Sequence, residues 1–153
     1  MIELFEKIWQ REPGADEVQL EKVYSFLRDN QFPVCELPDT YIELLKESNG
    51  GDFTTGNREY QLFSAEETLQ AYQSYNFSVY MSFAFPFAMD GCGNFYIFNL
   101  REKDDCIYAV SSSDLEWDEC HKIANNLMQC FGQNESLDDI LLSENITNVY
   151  VIS

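Results

Sequence analysis

A chain of 153 residues is long enough for one domain with its own core and short for two. Hydrophobic residues make up 45% and aromatic residues 15%, well above what disordered, low-hydrophobicity chains carry, so a buried core is expected. The 27 acids against 9 bases give a formal net charge of −18, which argues against nucleic acid or an anionic membrane as ligand and for a basic protein partner.

No apolar run approaches the ~18–20 residues that span a membrane. The first residues, MIELFEKIWQRE, mix acids into apolar positions where a secretory signal would have a basic start and an unbroken apolar stretch, so a cytoplasmic location is expected. Ile2, Phe5 and Trp9 fall on one face of a predicted amphipathic helix. After the Pro13-Gly14 break, Leu20, Val23, Tyr24 and Leu27 repeat the pattern. "LPDTYIELLKESNGG" predicts a third helix, with Pro38 in its first turn, Tyr41, Leu44 and Leu45 on one face, and Gly50 free to take a left-handed terminal conformation. A short strand is predicted over 58–63. Ser64 and Glu67 then form a capping box for a helix carrying Leu69 and Tyr72.

From Phe77 to Phe87 the odd positions are all apolar, the alternation of a half-buried strand, with Pro86 at an edge or a bulge. NFYIFNL and CIYAVS are apolar on both faces, as in central strands covered on each side, and REKDD between them predicts a hairpin loop. Ile123, Leu127 and Phe131 predict a helix; Ser136 with Asp139 caps a shorter one carrying Leu137, Ile140 and Leu141; ITNVYVIS closes as a strand. Helices before and after a strand-rich middle make an α+β architecture, a single domain over 1–153.

The order of "LPDTYIELLKESNGG", "FPFAMDGCGNFYIFNL" and "IYAV" resembles the SUKH superfamily, which includes yeast cell-wall glucan-synthesis regulators and many bacterial immunity proteins. The resemblance spans about residues 18–131. It places the family's structural motifs on Leu37, Pro38 and Tyr41, on Asn49, Gly50 and Gly51, and on the turn Asp90, Gly91 and Gly93; Cys92 stands where a small residue is expected. It implies a mixed, mostly antiparallel sheet flanked by helices, with no chemistry of its own. For a chain without long arms it also implies neutralisation of a polymorphic, often nuclease-type, toxin rather than a scaffold or regulatory role in glucan synthesis.

The residues are consistent with that inert character. Asp90-Gly91 is a turn dipeptide whose residues tolerate positive φ, and Gly93 allows a second bend. A catalytic Cys92 would need a neighbouring base, and there is one histidine, His121. His121 adjoins Cys120, but successive residues on a helix diverge by about 100° and form no dyad. Five cysteines without C-x-x-C spacing predict buried free thiols; no stretch has the spacing of a calcium loop, and neither metal nor cofactor is expected. Asp104, Asp105, Asp114, Glu116, Asp118 and Glu119 lie in or beside two loops flanking one strand, with Trp117 among them. Together they suit a binding patch for a basic partner. Taken singly, each acid also suits a solvated loop, and Trp117 fits either an anchor in that patch or packing against the core.

Overall fold

Local chemistry sets the helix starts. Asp16 accepts the Gln19 N–H at 2.8 Å while the Gln19 side chain accepts the Asp16 N–H at 2.9 Å, a reciprocal box that opens α1 (Glu17–Asp29). Pro38, with its preset φ and no N–H to satisfy, precedes α2 (Asp39–Glu47). Ser64 and Glu67 form the expected box, at 3.1 and 2.9 Å, before α3 (Ala65–Ser74). Of the faces that the spacing foretells, Leu20, Val23 and Leu27, then Tyr41, Leu44 and Leu45, and Tyr72 are buried, whereas Tyr24 and Leu69 are half-buried and Ala71, not foretold, is buried on α3.

The computed structural model describes residues 1–142, and ITNVYVIS lies outside them. The strands are β1 (Lys7–Arg11), β2 (Gly51–Thr55), β3 (Arg58–Leu62), β4 (Ala84–Met89), β5 (Asn94–Asn99), β6 (Ile107–Ser111) and β7 (His121–Ala124). They lie side by side in chain order, antiparallel at every described pairing, and with the helices they make an α+β fold. α3 packs against both α1 and β4. β5 is buried along its whole length, as a central strand covered on both faces must be. Pro86 sits inside β4 at a register shift against β5, so it marks a bulge and not an edge.

Three expected elements differ, for one physical reason. The predicted first helix is a 3-10 turn, Ile2–Leu4, followed by β1; Ile2 and Phe5 are buried, but Trp9 is 62% exposed. The predicted strand over 77–87 begins as a short helix, α4 (Phe77–Tyr80), in which Phe77 and Met81 are buried and Val79 is 72% exposed. The predicted helix from Ile123 starts later, as α5 (Leu127–Phe131), because Ile123 belongs to β7. An i, i+4 apolar pair satisfies a period of 2 and a period of 3.6 alike, so such pairs do not separate helix from strand. β2 escaped prediction because GDFTT has only one large apolar residue. A last helical stretch over 137–142 is capped by the Asp139 N–H on Ser136 Oγ at 3.2 Å, as expected.

Aromatic rings fill the core. Tyr41 meets Phe85, Phe87 and Phe98 edge-on at 5.4–5.8 Å, and Phe87 stacks on Phe98 at 4.5 Å. Arg58, whose burial the sequence did not signal, is 1% exposed; its Nε donates to the Glu135 carbonyl at 2.8 Å and its Nη1 to the Cys130 carbonyl at 3.3 Å. It ties β3 to α5 and the segment that follows it.

The Asn49-Gly50-Gly51 junction turns α2 into β2. Asn49 Oδ1 accepts the Ala65 N–H at 2.8 Å, joining this corner to the start of α3. Gly51 has φ +124°, and a Cβ there would sit 2.5 Å from the Gln10 carbonyl of β1. Gly51→Ala is therefore expected to cost about 2 kcal/mol or more. Gly132→Ala, at φ −83° with its nearest neighbour 3.5 Å away, should change stability by less than about 1 kcal/mol. Urea unfolding of the two variants checks the contrast; equal midpoints would overturn it.

Candidate partner-binding surface

The connection between β6 and β7, residues 112–120, is pinned at three points. The Ser112 N–H donates to the Gly93 carbonyl at 2.9 Å, the Leu115 side chain is buried, and the Trp117 indole N–H donates to the Ser82 carbonyl at 3.2 Å. Glu116 between them is extended, with φ −143° and ψ 141°, so its neighbours point inward while its own side chain points out. Asp114, Glu116, Asp118 and Glu119 are all exposed. Among the described residues none of the four takes part in an ion pair.

Asp104 and Asp105 leave β6 at its start and the other four acids follow its end, so the two segments depart from opposite ends of the strand. Trp117 links them. The Arg101 guanidinium, from the same loop as Asp104, lies 3.6 Å over the Trp117 ring. Trp117 is half-buried, and both its N–H and one face are engaged within the chain. Asp105 is exposed. Asp104 is engaged internally: one carboxylate oxygen accepts the Cys106 N–H at 2.7 Å and the other the Tyr108 hydroxyl at 2.6 Å. Partial burial works against its charge, yet the Cys106 and Tyr108 hydrogen bonds hold its pKa below the ordinary value.

The DGCG stretch is a structural corner. Asp90 is buried, and one of its carboxylate oxygens accepts the Cys92 and Asn94 N–H groups, each at 2.9 Å; the other accepts the Asn94 amide at 2.8 Å. Gly93 has φ +85°. Gly91 does not use the conformational freedom expected of it: its φ is not positive, and its N–H donates to the carboxylate of the flexible Glu59 side chain at 3.0 Å. Of the other motif residues, Leu37 and Tyr41 are buried and Pro38 stands directly before α2.

The thiols differ from expectation. All five are free, but only Cys130 is buried; Cys92 is exposed and Cys35, Cys106 and Cys120 are intermediate. A hydrogen bond to Asp138, then the charges of Asp138, Asp90 and Glu59, raise the Cys92 pKa, and burial raises those of Cys106, Cys120 and Cys130. These environments disfavour a thiolate nucleophile. His121 lies on β7, not on a helix, directly after Cys120. Among the described residues there is no group of three or more His, Cys, Asp or Glu placed to hold a metal ion, and no helix long and apolar enough to cross a membrane.

Sequence reasoning missed two exposed aromatics. Tyr75 and Tyr80 face Asp114 and Glu116 across a cleft of about 360 Å³. The signal that could have found them is the run of polar neighbours, Ser74, Asn76, Ser78 and Ser82, around a stretch taken for a strand.

The model of the SMI1 / KNR4 family (SUKH-1) matches residues 14–133. No curated protein matches the chain.

Two outcomes follow from the hydrogen-bonded carboxylates. Asp104→Ala is expected to cost about 1–2 kcal/mol at pH 7. Because the folded-state pKa is depressed, that stabilisation is present above the ordinary value of 3.8 and is lost as pH falls through the folded value, so wild type and variant should converge in acid. Urea titrations at several pH values check this; a gap that persists in acid would overturn it. Iodoacetamide should alkylate Cys92 more slowly at pH 8 than it alkylates an unstructured cysteine peptide, and Asp138→Asn should speed the reaction severalfold, read by mass spectrometry.

Proposed function

This chain belongs to the SMI1 / KNR4 family (SUKH-1), and on that premise we propose that it is a cytoplasmic, non-enzymatic immunity protein of a bacterial polymorphic toxin system. It binds a basic toxin domain of nuclease type and blocks it by occlusion. The observation that carries this reading is the set of exposed carboxylates, Asp105, Asp114, Glu116, Asp118 and Glu119, that no described cation of the chain neutralises by an ion pair.

A nuclease must gather phosphates with Lys and Arg, so carboxylates presented on a rigid body exploit the same field. Steering by complementary charge raises association to ~10⁸–10⁹ M⁻¹s⁻¹ at low salt. Speed has value when a toxin enters a cell that must not be damaged. The partner surface needs no catalytic group, which agrees with a corner whose acid is spent on backbone N–H groups and with a Cys92 thiol whose pKa is raised by neighbouring acids.

The test pairs this protein with the toxin domain encoded beside its gene. Co-expression should rescue growth. Stopped-flow association should slow by about tenfold or more between low and high salt, while dissociation, governed by buried contacts, changes far less. Association rates independent of salt would overturn the electrostatic mechanism. Specific binding to an endogenous cell-wall protein, with no protection against a toxin, would establish the scaffold or regulator role found in the glucan-synthesis relatives instead.

A further inference from the structure

We propose that the cleft between Tyr75 and Tyr80 on one wall and Asp114 and Glu116 on the other receives an arginine side chain projecting from a basic protein partner; this deepens the reading above and rests on it.

Both walls are fixed from beneath. The Tyr75 ring stands edge-on against the buried Phe95, with centroids 4.8 Å apart and planes at 86°, and remains 40% exposed. Tyr80 is 59% exposed on α4, a turn anchored by buried Phe77 and Met81 and closed by the Met81 N–H on the Phe77 carbonyl at 2.8 Å. Opposite them, buried Leu115 holds the backbone that turns Asp114 and Glu116 outward. Among the described residues neither phenol oxygen makes a hydrogen bond within the chain and neither carboxylate makes an ion pair, so all four groups are available to a visitor.

The chemistry of the cleft selects its guest. Phenol faces attract a cation, and a guanidinium can lie flat on a ring while its N–H groups reach two separate carboxylates, which a compact ammonium does less well. Phosphates are repelled by the same carboxylates. The chain itself shows the ring half of this arrangement one residue away, where Arg101 lies over the Trp117 ring. Val79, 72% exposed on the same turn, offers the partner an apolar rim that excludes water from the contact.

The full-length protein would be titrated at low ionic strength with a capped tetra-arginine peptide and, separately, a capped tetra-lysine peptide, followed by amide chemical shifts. The largest changes should fall at Tyr75, Tyr80 and residues 112–116, and the arginine peptide should bind more tightly. Tyr80→Ala should weaken it about fivefold, and Tyr80→Phe, which keeps the ring, should stay within about twofold of wild type. D114N and E116Q should weaken binding and flatten its salt dependence. Shifts spread evenly over the acidic surface, with Tyr80→Ala neutral, would overturn the cleft as receptor while leaving the acidic-surface reading intact. Equal affinity for the two peptides would overturn the arginine assignment, and no binding of either at low salt would remove the acidic-surface reading as well.

Discussion

Eighteen uncompensated negative charges repel one another, and the folded state has to hold them together in spite of this. The interior answers by excluding charge almost entirely. Tyr41, Phe85, Phe87, Phe95 and Phe98 are packed around β4 and β5 with exposures of 2% or less, and their ring contacts replace what ion pairs would otherwise supply. The charged groups that do enter are hydrogen-bonded locally, with one guanidinium nitrogen of Arg58, Nη2, left without a partner among the described residues. Asp90 collects backbone and amide N–H groups, and Arg58 donates hydrogen bonds to one carbonyl in α5 and one in the segment after it. Of the described side-chain ion pairs, Lys22–Glu66, Arg28–Glu21 and Lys103–Glu36 are all solvated and contribute little.

Under the proposed function, the same repulsion prepares the surface for a partner of opposite sign. A basic molecule that approaches relieves self-repulsion and gains attraction in one step, so the electrostatic cost of the free protein becomes part of the driving force for binding. Long-range attraction sets the encounter rate and falls with salt. In the proposed complex, holding the partner in place would fall to short-range contacts, for which the tyrosines that share a cleft with Asp114 and Glu116 offer aromatic area at little entropic cost. The β6–β7 connection unites the two effects, because Leu115 and Trp117 turned inward leave the intervening and following acids no direction but outward.

Much of the fold was legible because its signals are local. The Ser64-x-x-Glu67 box, the Pro38 start of α2, the bulge at Pro86 and the DGCG corner each depend on residues within a few positions of one another, and each formed. The misassignments share a cause: Phe77 and Met81, or Ile123 and Leu127, stand four apart, a spacing that both helix and strand accommodate. The neighbours across space settled these cases. Ile123 could lie in a strand because β6 was present to pair with its neighbours Lys122 and Ala124, and Val79 could be exposed because, among the described residues, little covers α4 on that side.

By itself the sequence determined the α+β class, the helix caps, the aromatic core and the size of the negative charge, since those are sums and short-range patterns. Where the charge lies was decided by the tertiary structure. The acids at 104–105 and those at 114–119 leave β6 from opposite ends, Asp104 is drawn into hydrogen bonds, and the cleft that Asp114 and Glu116 line is shared with Tyr75 and Tyr80, more than thirty positions earlier. Electrostatic potential and cleft shape depend on distances between residues remote in sequence, and only the closing of the sheet with its helices sets those distances.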